Sequence, residues 1–237
     1  MRLSAPIYRL KREAKQLARD ENIPLHDALD RIAATEGFSA WSMLAAKAAA
    51  ETPADKLYAT FRPGDLVLVG ARPGHGKTLM SLRLAVEAMK SGRNSAFFSL
   101  EYTERDVRDR LRAIGVEPAQ FDALFEIDCS DAISADYVVK RMAGAPHGTL
   151  IVIDYLQLLD QRRENPELTA QVRMLKAFAR DQGLIIVFIS QIDRSYDPAT
   201  KPCPDLRDVR LPNPLDLQLF DRTCFLNESK IQLQTAS

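Results

Sequence analysis

From residue 63 onward, short apolar runs alternate with longer stretches in which apolar positions recur every three or four residues. The short runs show no polar alternation, which is typical of strands buried on both faces of a parallel sheet. The longer stretches have the spacing of helices that pack one face on such a sheet. The pattern predicts an α/β fold with a mainly parallel central sheet, with strands over residues 66–69, 95–100, 124–127, 149–153 and 184–189 and helices over residues 78–90, 103–114, 134–143 and 167–181.

Residues 1–50 show helical periodicity alone and predict a small all-α segment of three short helices. The first helix has an apolar face, and arginines and lysines cover the rest of its surface. Two interpretations of this basic face stay open: a contact with DNA or a partner, or a solvated surface on a packing helix. Thr52-Pro53 and the Pro63-Gly64 turn suggest a linker over residues 51–62, which leaves residues 63–237 as the main domain.

Composition excludes several classes of protein. The 237 residues include 32 basic and 32 acidic side chains, so the overall charge gives no reason for nonspecific binding to nucleic acid or to a membrane. The three cysteines are widely spaced and form no zinc-binding pattern. No apolar run is long enough to span a membrane, and residues 1–15 lack a hydrophobic signal core, so we expect a cytoplasmic protein with reduced thiols.

The segment LVLVGARPGHGKTL, residues 66–79, predicts a phosphate-binding loop between a strand and a helix. Glycines at 74 and 76 let backbone N–H groups converge on an anion, and the helix that follows adds its positive end. Lys77 would reach the β- and γ-phosphates, and the Thr78 hydroxyl would bind Mg²⁺. The expected nucleotide-binding residues are Ala71, Arg72, Pro73, Gly74, His75, Gly76, Lys77, Thr78 and Leu79.

Two features of this loop qualify the motif. Ala71 stands where the usual pattern has its first glycine, and an ordinary glycine-proline turn is the alternative interpretation. His75 lies inside the loop, but we assign it no chemical role of its own. The order of strand, loop and helix favours the phosphate site.

Polar residues end three further strands, at Glu101, Asp154 and Gln191. Ligands of open parallel sheets bind beyond the carboxyl ends of the strands, so we expect these side chains to face the same site. Asp154 would help to hold Mg²⁺, Glu101 would act as the general base on water, and Gln191 would sense the γ-phosphate. The alternatives are that the two carboxylates and the amide only cap the loops or helices that follow.

Five segments together resemble the C-terminal ATPase domain of DnaB-type replicative helicases, which has a RecA-like P-loop fold. They are PGDLVLVGARPGHGKT, FFSLEYTERDVRDRL, LIVIDYLQLL, ISQIDR and DLRD, and the resemblance covers about residues 61–226. It implies ATP and Mg²⁺ as cofactors, Thr78 and Asp154 as the metal residues, and catalytic roles for Lys77, Glu101 and Gln191. The family also tends to have alanine at the position of Ala71.

The resemblance also implies a partner and an assembly. In the family, two loops face the central channel of a homo-hexamer and hold single-stranded DNA, and here they would be residues 161–165 and 192–210. Their basic side chains, which would contact phosphates, are Arg162, Arg163, Arg194, Lys201, Arg207 and Arg210. Because the second loop also carries four aspartates, a solvated mixed-charge loop is the alternative.

Two departures from the family divide the functional hypotheses. The three-helix segment stands where the family has a large primase-binding domain, and after Arg222 the sequence has Lys230 but no arginine to serve as a finger toward a neighbouring subunit. The leading hypothesis is an ATP-dependent DNA helicase or ATPase of DNA replication. The alternative is a slow or inactive nucleotide-binding switch that signals to a protein partner without unwinding.

Overall fold

The computed structural model describes residues 4–5, 7–50, 53–160, 165–211, 213–227 and 230–235. It divides into two compact units, Met1–Thr52 and Pro53–Ser237. The first unit contains three helices, as the periodicity predicts: α1 (Ile7–Asp20), α2 (Leu25–Thr35) and α3 (Trp41–Ala50). Their small core has Leu10, Ala33 and Leu44 at its centre.

The second unit is built on a seven-stranded sheet. Its helices and strands, in chain order, are α4 (Pro53–Tyr58), β1 (Leu66–Ala71), α5 (Lys77–Lys90), β2 (Ser95–Ser99), α6 (Glu104–Ala113), β3 (Phe125–Asp128), α7 (Ala135–Met142), β4 (Leu150–Asp154), α8 (Leu168–Gln182), β5 (Ile185–Gln191), β6 (Arg222–Asn227) and β7 (Lys230–Thr235). The strand order is β3-β2-β4-β5-β1-β6-β7. Every neighbouring pair is parallel except β6 and β7. The expected α/β fold with a mainly parallel sheet is confirmed.

Helices cover the sheet on both faces, which explains why its strands read as continuous apolar runs. Alternate residues of β1 enter two different cores: Leu66 and Leu68 pack with α7 and α8, whereas Val67 and Val69 pack with α4, α5 and α6. All six residues of β1 are buried. The central strands are therefore fixed on both sides, and their carboxyl ends lie along one edge of the sheet.

Two elements differ from the prediction. The stretch expected to be a linker contains α4, in which Ala54 and Leu57 are buried against the second core. We took Pro53 as a break, but it occupies the first position of the helix, where its missing N–H costs no hydrogen bond. The antiparallel β7 was also not predicted. None of the described helices is long and apolar enough to cross a membrane.

Candidate functional site

The loop after β1 turns through two glycines with positive backbone angles. Gly74 has φ 82° and Gly76 has φ 83°, a region that glycine enters without steric cost. A Cβ atom built at either position would meet nothing within 4 Å, so the loop borders open space. The Met80 N–H donates to the Gly76 carbonyl at 2.8 Å and begins the hydrogen-bond ladder of α5. Its positive end consequently faces the opening of the loop.

Lys77 and Thr78 form the first turn of α5 and are both buried, at 8% and 6% exposure. A buried ammonium is costly unless it meets an anion. Among the described residues, Lys77 has no carboxylate within ion-pair distance. Its backbone carbonyl is bonded, because it accepts from the Ser81 hydroxyl at 3.1 Å. The Lys77 side chain is thus largely buried and has no ion-pair partner among the described residues.

Asp154 ends β4 and is fully buried, and neither of its carboxylate oxygens has a hydrogen-bond partner among the described residues. Burial raises its pKa to about 7 from 3.8, and the negative charge of Glu101 contributes to the rise. Lys77, the Thr78 hydroxyl and the Arg110 charge act in the opposite direction. These effects place all four groups close enough to Asp154 to influence its ionisation.

This donor set suits a magnesium ion that shares its ligands with phosphates. Mg²⁺ is usually bound by one or two protein oxygens, with waters and substrate phosphates completing the octahedron. The Asp154 carboxylate and the Thr78 hydroxyl supply that number, and the described residues contain no cluster of three or more His, Cys, Asp or Glu that would hold a metal alone. The unpartnered oxygens of Asp154 therefore fit the cation.

Glu101 lies two residues beyond the end of β2, and its side chain is exposed. Its backbone N–H donates to the Ser99 hydroxyl at 3.1 Å, which fixes the chain as it leaves the strand. The carboxylate borders an open cleft of about 490 Å³ that Tyr102 and Arg110 also line. The Arg110 guanidinium lies 4.3 Å from the centre of the Tyr102 ring. Sequence reasoning did not single out either residue, although both belong to the quoted FFSLEYTERDVRDRL segment.

Gln191 ends β5 beside the last residue of β1, with which it is in register. Its carbonyl accepts from the Arg210 N–H at 2.8 Å, and the Gln157 amide donates to the Arg210 carbonyl at 2.8 Å. These residues and Tyr155 line a cavity of about 230 Å³. The neighbouring Ser190 hydroxyl is buried without a partner among the described residues. Gln157 and Ser190 are polar groups that sequence reasoning missed, because both lie inside otherwise apolar runs.

The basic residues expected to contact DNA separate into three groups. Arg162 and Arg163 lie outside the described residues. Arg194 and Arg210 are exposed and form no ion pair with any described residue. The remaining two are already engaged with acidic neighbours: Lys201 pairs with Asp205 at 2.7 Å and Asp208 at 2.6 Å, and Arg207 pairs with Asp205 at 2.9 Å.

Comparison with known proteins places this geometry in a family. The family model described as the DnaB-like helicase C terminal domain matches residues 51–120 and 121–215. The chain belongs to this family. The solved structure "The Structure Of A DnaB-Like Replicative Helicase And Its Interactions With Primase" has a TM-score of 0.61 at 23% identity, over 97% of this chain and 71% of that one. A KaiC-like protein of Pyrococcus horikoshii has a TM-score of 0.54 at 16% identity, over 73% of this chain and 80% of that one. The fold is RecA-like.

The curated relatives are longer than this DnaB-like chain. The replicative DNA helicase DnaB of Geobacillus stearothermophilus is 29% identical over 191 residues, which is 67% of this chain and 42% of the relative. The DnaB of Treponema pallidum is 28% identical over 217 residues, which is 78% of this chain and 48% of the relative. This chain therefore spans less than half the length of these two relatives.

Proposed function

We propose that this DnaB-like chain binds ATP with Mg²⁺ at the carboxyl edge of its sheet, hydrolyses the γ-phosphate, and uses the cycle to act on single-stranded DNA. The observation that carries the proposal is the buried Asp154 carboxylate, unpartnered among the described residues and adjacent to the buried Lys77 and Thr78. Burying these three polar side chains destabilises the fold, because the Asp154 carboxylate has no hydrogen-bond partner among the described residues. A nucleotide and its metal ion would provide ligands for all three.

In this proposal each residue has a distinct task. The loop of residues 71–79 holds the phosphates through backbone N–H groups, although Pro73 has none and His75 donates its own to the Arg72 carbonyl at 3.1 Å. Lys77 contacts the β- and γ-phosphates, and Thr78 and Asp154 hold the metal. Mg²⁺ would neutralise charge that develops on the phosphate oxygens during transfer. Glu101, exposed at the mouth of the site, orients an attacking water and accepts its proton. Gln191 is in register with the last residue of β1, and its carbonyl accepts from the Arg210 N–H. It can therefore couple the state of the γ-phosphate to the loop of residues 192–210.

The assembly and the DNA substrate are also proposals for this chain. Its relatives are named replicative DNA helicases, and a ring of identical subunits is the arrangement that the resemblance implies. Arg194 and Arg210 are the described loop residues whose charge is free to meet phosphates. Lys201 and Arg207 would first have to give up their aspartate partners.

Steady-state hydrolysis tests the proposal most directly. The rate is measured across protein concentration, with and without single-stranded DNA at low salt, for the wild type, Glu101→Gln and the control Glu117→Gln, which alters another exposed glutamate. We expect Glu101→Gln to retain ATP while losing turnover by at least about 100-fold, and Glu117→Gln to match the wild type. An unchanged rate of ATP hydrolysis in Glu101→Gln would contradict the role of Glu101 as the general base. A slow wild-type rate that ignores DNA and concentration would favour a nucleotide switch.

A further inference from the structure

Helix α1 carries its positive charge on one continuous surface. Successive residues of an α-helix are separated by about 100°, so its five basic residues fill an arc of about 160°, opposite the buried Leu10 and Ala14. The acidic residues of the helix, Glu13 and Asp20, fall outside this arc. All five side chains are exposed, and together they define the basic arc: Arg9, Lys11, Arg12, Lys15 and Arg19.

Several acidic groups of the same unit have partners within it, and none of the described ones forms an ion pair with the basic arc. Four carboxylates hold local partners: Glu36 accepts from the Ser4 N–H at 2.7 Å, Asp30 from the Trp41 N–H at 2.7 Å and Asp20 from the Gln16 amide at 2.8 Å, and Glu21 pairs with Arg31. No residue of the basic arc forms an ion pair with a described residue. The surface is therefore locally positive, although the chain as a whole is neutral.

We propose that the basic arc is a second nucleic-acid contact, which binds the phosphate backbone of single-stranded DNA independently of base sequence. Lys11, Lys15 and Arg19 recur every four residues, which advances them by about 6 Å along the helix axis. Cations spaced along the helix in this way can each approach a different phosphate of one strand. Arg9 and Arg12 widen the same positive track.

The side chains around the arc favour a polyanion over a protein partner. Protein interfaces depend on apolar and aromatic anchors that become buried at their centre. Among side chains that the structure describes, the exposed large apolar residues of this unit are Leu25 on α2 and Met43 on α3, and none lies on α1. A contact surface dominated by lysine and arginine matches the chemistry of a phosphate backbone.

This inference extends the proposed function and rests on it only for the choice of strand, since it involves no step of nucleotide hydrolysis. The test uses the full chain, a fluorescently labelled single-stranded oligonucleotide and anisotropy at several salt concentrations, in EDTA without nucleotide. In the triple variant Lys11→Gln, Lys15→Gln, Arg19→Gln, each long side chain is kept while its charge is removed. We expect at least about a tenfold loss of affinity at low salt, and a decrease of about 2 in the slope of log affinity against log salt.

The matched control is Lys56→Gln, Lys140→Gln, Arg173→Gln, which removes three exposed helical cations of the second unit that, like those of the arc, form no ion pair with a described residue. It should retain affinity and slope within about twofold of the wild type, as expected for cations away from the contact. Circular dichroism confirms that both variants are folded. The proposal would be overturned if the arc variant had the affinity and salt slope of the wild type. Polyglutamate serves as an acidic polypeptide in place of DNA, and a variant that lost binding to polyglutamate but kept binding to DNA would also overturn the proposal. The same anisotropy titration is made with Lys77→Ala, which alters the proposed nucleotide site and leaves the basic arc intact. This variant should bind DNA as the wild type does in EDTA, so a defect of the nucleotide site can be told apart from a defect of the arc.

Discussion

Two aspartates at opposite ends of the same sheet have opposite surroundings. Asp65 immediately precedes β1, where its carboxylate accepts from Arg222 Nε at 2.6 Å and from the Arg62 N–H at 2.9 Å. Asp154 ends β4, more deeply buried, and has no hydrogen-bond partner among the described residues. The Asp65 carboxylate is thus satisfied by hydrogen bonds within the fold, whereas the Asp154 carboxylate is not.

The difference separates structural polar groups from those that await a ligand. The pair of Asp65 with Arg222 joins the starts of β1 and β6, so it helps to set the register of two parallel neighbours. Asp154 does no comparable work for the folded chain. Burying its charge destabilises the protein, and the cost is offset when a cation binds or when the carboxylate takes up a proton. Removing each charge should therefore have contrasting effects on activity and stability.

The largest expected effect is on catalysis. Asp154→Asn should lower kcat for ATP hydrolysis by at least about 100-fold, because Mg²⁺ loses its charged protein ligand. The free energy of unfolding of the metal-free variant should equal or exceed that of the wild type. Steady-state hydrolysis and urea unfolding in EDTA measure the two quantities. If the variant were both active and destabilised, Asp154 would be a structural residue like Asp65.

The pH dependence of stability sharpens the contrast. The pKa of Asp154 is raised to about 7 from 3.8, so between about pH 4 and 7 the folded chain holds a proton that the unfolded chain has released. The free energy of unfolding of the metal-free protein should fall as pH rises through this window, by on the order of 3 kcal/mol from this group. Urea unfolding at pH 5 and pH 8 measures it. Asp154→Asn serves as the control and should lose this component of the slope; equal slopes would contradict the burial argument.

Removing the other aspartate should destabilise the fold. Asp65→Asn leaves the largely buried Arg222 without its carboxylate, and we expect a loss of about 2 kcal/mol in the free energy of unfolding. Thermal or urea unfolding of the metal-free protein gives the value. Nucleotide affinity, measured under conditions where the variant is folded, should stay within about twofold of the wild type, since Asp65 lies at the edge away from the loop. If Asp65→Asn lost nucleotide binding while keeping its stability, Asp65 would not be the purely structural residue that the comparison assumes.

The smallest expected effect concerns cations near the carboxyl edge. Arg194→Ala and Arg210→Ala should each weaken binding of single-stranded DNA several-fold and reduce the salt slope by roughly 0.7, because neither charge is engaged in an ion pair with a described residue. Arg207→Ala should have less effect, since Asp205 already neutralises this arginine. Anisotropy titrations over a salt series compare the three variants. A larger loss in Arg207→Ala would show that the ion pair opens on binding.

Sequence reasoning located the polar residues of the carboxyl edge because each of them is signalled locally. Asp154 and Gln191 end apolar runs, and the phosphate loop is contained in fourteen consecutive residues. The α/β fold with a parallel sheet followed from the same runs, since strands buried on both faces are typical of such sheets, and its RecA-like character was implied by the family resemblance. Their chemical roles stay predictions until a ligand is measured.

The amino edge could not be predicted in this way. Asp65 and Arg222 are 157 positions apart, and only the pairing of β1 with β6 brings them together. The ion pairs of Lys201 and Arg207 similarly depend on the path of the loop of residues 192–210. The sequence of this loop shows only that it contains both basic and acidic residues. Long-range electrostatic partners require the register of the sheet, and a single sequence does not specify that register.

The strand order has a consequence for folding. From β1 to β2 the sheet runs through β5 and β4, so the loop, Gln191, Asp154 and Glu101 follow in that order across about 14 Å. These groups come from four strands scattered through 120 residues of chain, between Ala71 and Gln191. All four strands must lie side by side before these groups share one edge. A nucleotide that binds them would therefore recognise the chain only after β1, β5, β4 and β2 have paired, and at a hundred times its dissociation constant it would shift the folding equilibrium by about 2.7 kcal/mol.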